Sequence, residues 1–170
     1  MKEHSLIKLA RKSIRVYIEE NLVISPPKNL TKEMKEKAGV FVPLFINRRL
    51  RGCIGTFEPN HSNVAEETIY NAIASATQDQ RFPPVTTAEI DSLQLSIDIL
   101  SSLVPVESSQ ELDAKKFGVM IKSGEKVGVM LPDLPDINVP EQQIDLCYYK
   151  GGIKKNEPIE MFRFTVKRLF

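Results

Sequence analysis

The chain has 170 residues, 42% hydrophobic and 26% charged, the balance of one globular domain that buries about 70% of its surface without needing metals or disulfides. Its formal charge of +1 gives no global pull toward nucleic acid or anionic membrane, and no segment approaches the roughly 20 apolar residues of a membrane span. Cys53 and Cys147 stand far apart and in no CxxC or Cys/His spacing, which speaks against a zinc site and for reduced thiols; without an apolar core of signal-peptide length near the N-terminus, the chain reads as soluble and cytoplasmic.

From His4 to Asn21 the apolar positions Ile7, Ala10, Ile14, Tyr17 and Ile18 recur in steps of three and four, which predicts an amphipathic helix. "SPPKNLTKEMKEKAG" opens on two prolines and closes on glycine, so it reads as a surface connection with one short helical turn. "GVFVPLFIN" and "RLRGCIGT" then form a hairpin from Val40 to Thr56 about Asn47 and Arg48. Pro43 lacks an amide donor, which places its strand at an edge or at a bulge.

Asn63, with Glu66 three residues on, has the spacing of a capping box, and Val64, Ile69, Ala72, Ile73 and Ala76 give the following helix a face of small residues. Pro83 and Pro84 end it and push Phe82 toward an extended conformation. Leu93, Leu95, Ile97 and Ile99 alternate with Gln94, Ser96 and Asp98, the pattern of a strand with one buried and one wet face. "FGVMIKS" and "KVGVMLP" make a second hairpin about Gly124 and Glu125, "VPEQQIDLCYYKGG" a short helix, and "PIEMFRFTVKRL" a last strand. Mixed rather than strictly alternating elements favour an α+β fold: a central, mostly antiparallel sheet with helices packed on it and a smaller lobe.

A regular strand over "RLRGCIGT" puts Arg51, Cys53 and Gly55 on one face, and a guanidinium beside Cys53 favours its thiolate. Two readings of Cys53 stand: a packed or site-lining thiol, or a covalent or redox group. A nucleophile also needs a proton acceptor, and His61, eight residues beyond Cys53, is within reach only of a loop that turns back. Gly52 and Gly55 are read either as close packing or as exposed amides for an anion. Asp79 and Arg81, at a helix-to-loop transition, are either an ion pair at a helix end or a grip on a carboxylate or phosphate. Lys8, Arg11, Lys12 and Arg15, with the basic hairpin "INRRLRG", form a solvated face or a phosphate-contacting patch. Glu66 and Glu67 diverge on their helix and make a poor acid/base pair, and no motif points to a metal or a cofactor.

Together these segments resemble the AMMECR family. "GVFVPL" with "LRGCIGT", then "ATQDQRFPPVTTAEIDSLQLSIDILS", "GVMIKSGEKVGVMLPDL" and "DLCYYKGGI", fall at its landmarks over nearly the whole chain, with Pro43 and the run Tyr149 to Gly152 as departures. The resemblance implies a single domain over residues 1–170, with two subdomains as an option, and a cleft bordered by Arg51 to Thr56. Carried over, the site takes in Cys53 as the catalytic candidate and Arg51, Gly52, Gly55, Thr56, Asp79 and Arg81 as substrate contacts, with Cys147 and Lys150 as secondary candidates. The family's association with Memo-like and radical S-adenosylmethionine proteins implies a protein partner in a shared modification pathway. Three functions follow: an enzyme or catalytic accessory for an anionic substrate, a non-catalytic binding or scaffold domain, and, last on charge, a nucleic-acid accessory.

Overall fold

Because apolar residues recur along one side of the first amphipathic segment, it closes into α1, Ser5–Glu20, in the computed structural model, which describes residues 3–170. The His4 side chain accepts from the Leu6 amide at its start, and Asn21 ends it in the left-handed conformation, within a residue of the expected limits. The chain divides into two compact units, one comprising the residues through Leu100 with Lys167–Phe170, the other Ser101–Val166. Among the described residues no helix is long and apolar enough to cross a membrane.

In the first unit a short helix, α2 (Lys32–Lys35), precedes the hairpin of β1 (Val40–Ile46) and β2 (Arg49–Gly55). Asn47 and Arg48 both take positive φ at its turn, the primed geometry that suits strand twist. Helix α3 (Val64–Thr77) follows, then a 3-10 turn over Thr87–Ser92, and strands β3 (Gln94–Leu95) and β4 (Ile97–Leu100). The sheet runs β2-β1-β4-β9, with β3 also on β1 and β9 (Val166–Leu169) at the far edge. Ile7, Ala10 and Ile14 of α1 and Ile69, Ala72, Ile73 and Ala76 of α3 share one core with Val40, Val42 and Leu44 of β1.

Two expectations change here. Of the edge or bulge expected at Pro43 the edge is overturned, since β1 is an inner strand; Pro43 is accommodated at an irregularity, where β3 and β4 are interrupted opposite it and the Ser96 amide donates to the Pro43 carbonyl at 3.1 Å. The face expected to be wet is also covered: Ser96 and Asp98 are buried. Asp98 is held there by Arg168 of β9, whose Nε donates to Oδ1 at 2.7 Å and whose Nη2 donates to Oδ2 at 3.1 Å. Alternation cannot anticipate a charge neutralised by a strand 70 residues away.

In the second unit β5 (Val104–Val106), β6 (Gly118–Ser123), β7 (Lys126–Met130) and β8 (Glu160–Phe164) form an antiparallel sheet in the order β5-β8-β6-β7. Helix α4 (Pro140–Gly151) packs on β6 and β7 and contributes Cys147 to a core with Val119, Ile121 and Met130. The single last strand expected is two strands, β8 and β9, belonging to different sheets.

The tightest approach in the first unit lies between α3 and β2. A Cβ built on Gly52 would sit 2.1 Å from the Ser75 carbonyl oxygen, backbone that cannot step aside without moving the helix. Gly52→Ala is therefore expected to cost about 3 kcal/mol of stability by overpacking. Urea unfolding checks this, and a midpoint equal to the parent's would refute the packing assignment.

Candidate functional site

The segment from Arg51 to Thr56 faces α3 through a line of polar side chains at four-residue spacing. Glu67, Asn71 and Ser75 lie one turn apart on the helix, and Asp79 continues the line just beyond it; all four are buried, at 0%, 6%, 2% and 7% exposure. Ser75 Oγ accepts from the Ile54 amide at 2.7 Å and donates to the Ile54 carbonyl at 3.2 Å. Asp79 Oδ2 accepts from the Cys53 amide at 2.9 Å. Asn71 Nδ2 donates to the Val40 carbonyl at 3.0 Å and to Thr56 Oγ1 at 3.2 Å, and Thr56 Oγ1 donates to Glu67 in a short hydrogen bond. Glu67 also accepts from the amides of Asn60 and His61 at 3.2 and 2.8 Å, fixing the loop after β2. Apolar periodicity passed over this seam; its signal was the spacing 67, 71, 75, 79.

Both glycines are closely packed. Gly52 admits α3, and a Cβ on Gly55 would lie 2.3 Å from the Phe41 ring. Thr56 is held within the seam.

Arg51 does not stand beside Cys53. The pairing of β1 with β2 passes from Leu44↔Gly52 to Phe45↔Leu50, so Arg51 is the extra residue of a bulge and leaves the alternation on which the expectation rested. Its guanidinium instead reaches the 3-10 turn: Nε and Nη2 donate to the two oxygens of Glu89 at 2.8 and 3.1 Å, while Nη1 and Nη2 donate to the carbonyls of Pro83 and Pro84 at 2.8 and 3.2 Å. Glu89 also accepts from the amide and hydroxyl of Thr86 at 2.8 and 3.0 Å, a capping box that the sequence contained as T-x-x-E. The Arg51 hydrogen bond, then the Thr86 amide, hold the Glu89 carboxyl down to about 2.

Arg81 is the cation that accompanies Cys53. Asp79 Oδ1 accepts from Arg81 Nε at 2.9 Å, and Oδ2 from Nη2 at 2.7 Å, so the guanidinium is gripped along one edge; Nη2 also lies 3.4 Å from the Cys53 carbonyl oxygen. The Arg81 side chain is 58% exposed while that of Asp79 is 5% exposed. Arg81 holds the Asp79 carboxyl well below the usual carboxylate range, helped by the backbone amides of Cys53 and Arg81 and opposed by burial. Arg81 in turn holds its proton more tightly, chiefly through the Asp79 hydrogen bond and against the effect of burial, with Cys53 close enough to contribute. Phe82 lies beneath the guanidinium carbon at 5.5 Å from its ring centre.

The loop after β2 does not turn His61 toward the thiol. Its amide is bonded to Glu67 and its ring stacks on Tyr70 at 4.1 Å, whereas Ile54, next to Cys53, is bonded to Ser75. Glu67 and Ser75 are eight residues apart, about 12 Å along the helix axis.

Cys147 and Lys150 belong to the second unit. Burial pushes the Cys147 thiol up to about 12, and its Sγ donates to the Val119 carbonyl at 3.4 Å, the setting of a core thiol. Lys150 lies on an exposed turn of α4. Among the described residues no three His, Cys, Asp or Glu side chains gather as a metal ion would need.

The sequence profile of the AMMECR1 family matches residues 7–169. A protein of Thermotoga maritima is 42% identical over 169 residues, covering 98% of this chain and 97% of its own length. A protein of Clostridium acetobutylicum is 39% identical over 95% of this chain, which spans 35% of that longer relative. The crystal structure of protein PH0010 from Pyrococcus horikoshii superposes with a TM-score of 0.86 at 30% identity, covering 96% of this chain and 88% of that one.

The Arg51–Glu89 pair gives the fold a defined acid limit. Because the folded Glu89 carboxyl titrates at about 2, below its ordinary 4.5, its contribution is complete above about pH 4.5 and is lost as the pH falls toward 2. After discount for its partial exposure, this is of the order of 1 kcal/mol. Urea midpoints measured from pH 6 to pH 2 should fall less steeply for Glu89→Gln than for the parent, and parallel curves would remove Glu89 from the acid response.

Proposed function

The chain belongs to the AMMECR1 family, and we propose that it works there as a non-catalytic binding domain whose Arg81 corner receives a carboxylate or phosphate of a partner protein. The observation that carries this reading is the way Arg81 is held. Asp79 fixes the Nε and Nη2 edge, so the guanidinium is oriented before any ligand arrives, while Nη1 makes no hydrogen bond among the described residues. A guanidinium with one edge locked and Nη1 left to donate is suited to an anion and loses little side-chain freedom on binding. Phe82 and Cys53, both half-buried, supply apolar surface beside it.

Arg51, Gly52, Gly55, Thr56 and Asp79 support this corner from within as framework. Such a framework positions a surface better than it moves a substrate proton. The family's association with Memo-like and radical S-adenosylmethionine proteins favours a protein partner over a free metabolite. The partial exposure of Cys53 beside a cation favours a second reading, a thiol enzyme.

The readings separate on two variants. In titrations with inorganic phosphate and with a short glutamate-ended peptide, amide shifts at Cys53 and Arg81 should be lost in Arg81→Gln and retained in Cys53→Ser. A covalent adduct on Cys53 after incubation with a thioester or a phosphate ester, seen by intact-mass spectrometry, would replace the binding reading with the enzymatic one.

A further inference from the structure

The four basic residues of α1 form one cluster in sequence and two in space. Arg11 donates Nη1 to the Leu93 carbonyl at 2.9 Å and reaches Glu3 at 3.1 Å; Arg15 bonds Asp91 at 2.5 Å and Glu19 at 3.2 Å. Lys8 and Lys12, one turn apart, have no carboxylate within ion-pair distance among the described residues. Both line a groove of about 370 Å³ between α1 and the connection that follows it, whose apolar lining includes Leu9, Ile24 and Met34.

The charge lining this groove, from Lys8 and Lys12, is positive. Glu33, the nearest acid in α2, is already engaged by Lys167 and lies 3.3 Å from His4. Lys28 and Lys32, next in the chain to lining residues, add further positive charge. Leu22 and Val23, 57% and 46% exposed, lead into it and extend its apolar surface.

We infer that this groove docks an acidic, apolar segment of a partner protein, with one aliphatic side chain seated on Leu9, Ile24 and Met34 and carboxylates against Lys8 and Lys12. Two cations one helical turn apart match carboxylates about 6 Å apart. The apolar lining is aliphatic and sulfur-bearing, which fits an aliphatic side chain rather than a stacked base. A concave site of this volume fits an inserted side chain, whereas a lipid surface would leave it unfilled. The groove is separate from the Arg81 corner, so either can fail without the other.

The test is fluorescence polarisation with a short labelled peptide built of glutamate and leucine, at low and at physiological ionic strength. The peptide is expected to bind, more weakly as salt rises. The double variant Lys8→Glu/Lys12→Glu should lose about tenfold or more in affinity and gain affinity for the lysine–leucine counterpart, a swap that misfolding cannot imitate. Arg15→Glu, on the same helix but away from the groove, should leave binding unchanged. The inference is overturned if the peptide does not bind, if the double variant binds it as the parent does, if polyglutamate binds as tightly, or if phosphatidylserine vesicles or a single-stranded oligonucleotide compete more strongly than the peptide.

Discussion

β2 ends its sheet, so the Cys53 amide on its outer side faces no neighbouring strand, and Asp79, just beyond α3, supplies the acceptor a strand would have supplied. An amide left unpaired out of water costs about 1–3 kcal/mol, and one left in water invites a foreign strand. The Ser75 hydroxyl and the Asp79 carboxylate take the Ile54 and Cys53 amides, while Asn71 and Glu67 reach β1 and the loop beyond β2. Two conditions make this possible. Polar groups must recur once per turn along one side of the helix, and position 52 must carry no side chain, so that the helix backbone can come close. Helix, hairpin and following loop are therefore fixed by one seam.

From that seam the charged residues take their roles. Asp79 is anchored by the Cys53 amide before it grips Arg81, so the exposed guanidinium inherits the rigidity of the strand beneath it. Arg51 leaves the strand at a bulge and ties the hairpin to the diproline carbonyls and the 3-10 turn. Arg168 neutralises Asp98 inside the sheet. Three arginines close in sequence or in chemistry thus do different work, and only neighbours decide which. The same sorting separates Arg11 and Arg15, each held by carboxylates, from Lys8 and Lys12, which face a groove.

Much of the fold is legible along the chain because its signals are local. The apolar steps of α1, the Asn47–Arg48 turn, the Asn63 cap and the diproline stop each act within a few residues, and each stands where expected. The candidate site was legible as a place but not as a set of roles. The pairing of Arg51 with Cys53 rested on unbroken alternation, and the bulge opposite Leu44 and Phe45 removed it. Asn71 and Ser75 carry no apolar signal, and Glu67 stands out in the sequence only as an acid diverging from Glu66. Asp98 looked solvated because its partner lies on the last strand.

By itself the sequence determined the family, the α+β class and the helices and hairpins, since propensity, capping and periodicity are set by neighbours within about one or two turns. It also marked the segment from Arg51 to Thr56 and the turn from Asp79 to Arg81 as belonging together. Only the tertiary structure decided that a helix and a ring pack closely on the glycines there, that the Arg81 guanidinium comes to Cys53 while that of Arg51 goes to Glu89, and that the last strand divides between two sheets. Those outcomes depend on which group approaches across space, and a hydrogen bond between residues tens of positions apart leaves no mark on the local pattern at either end.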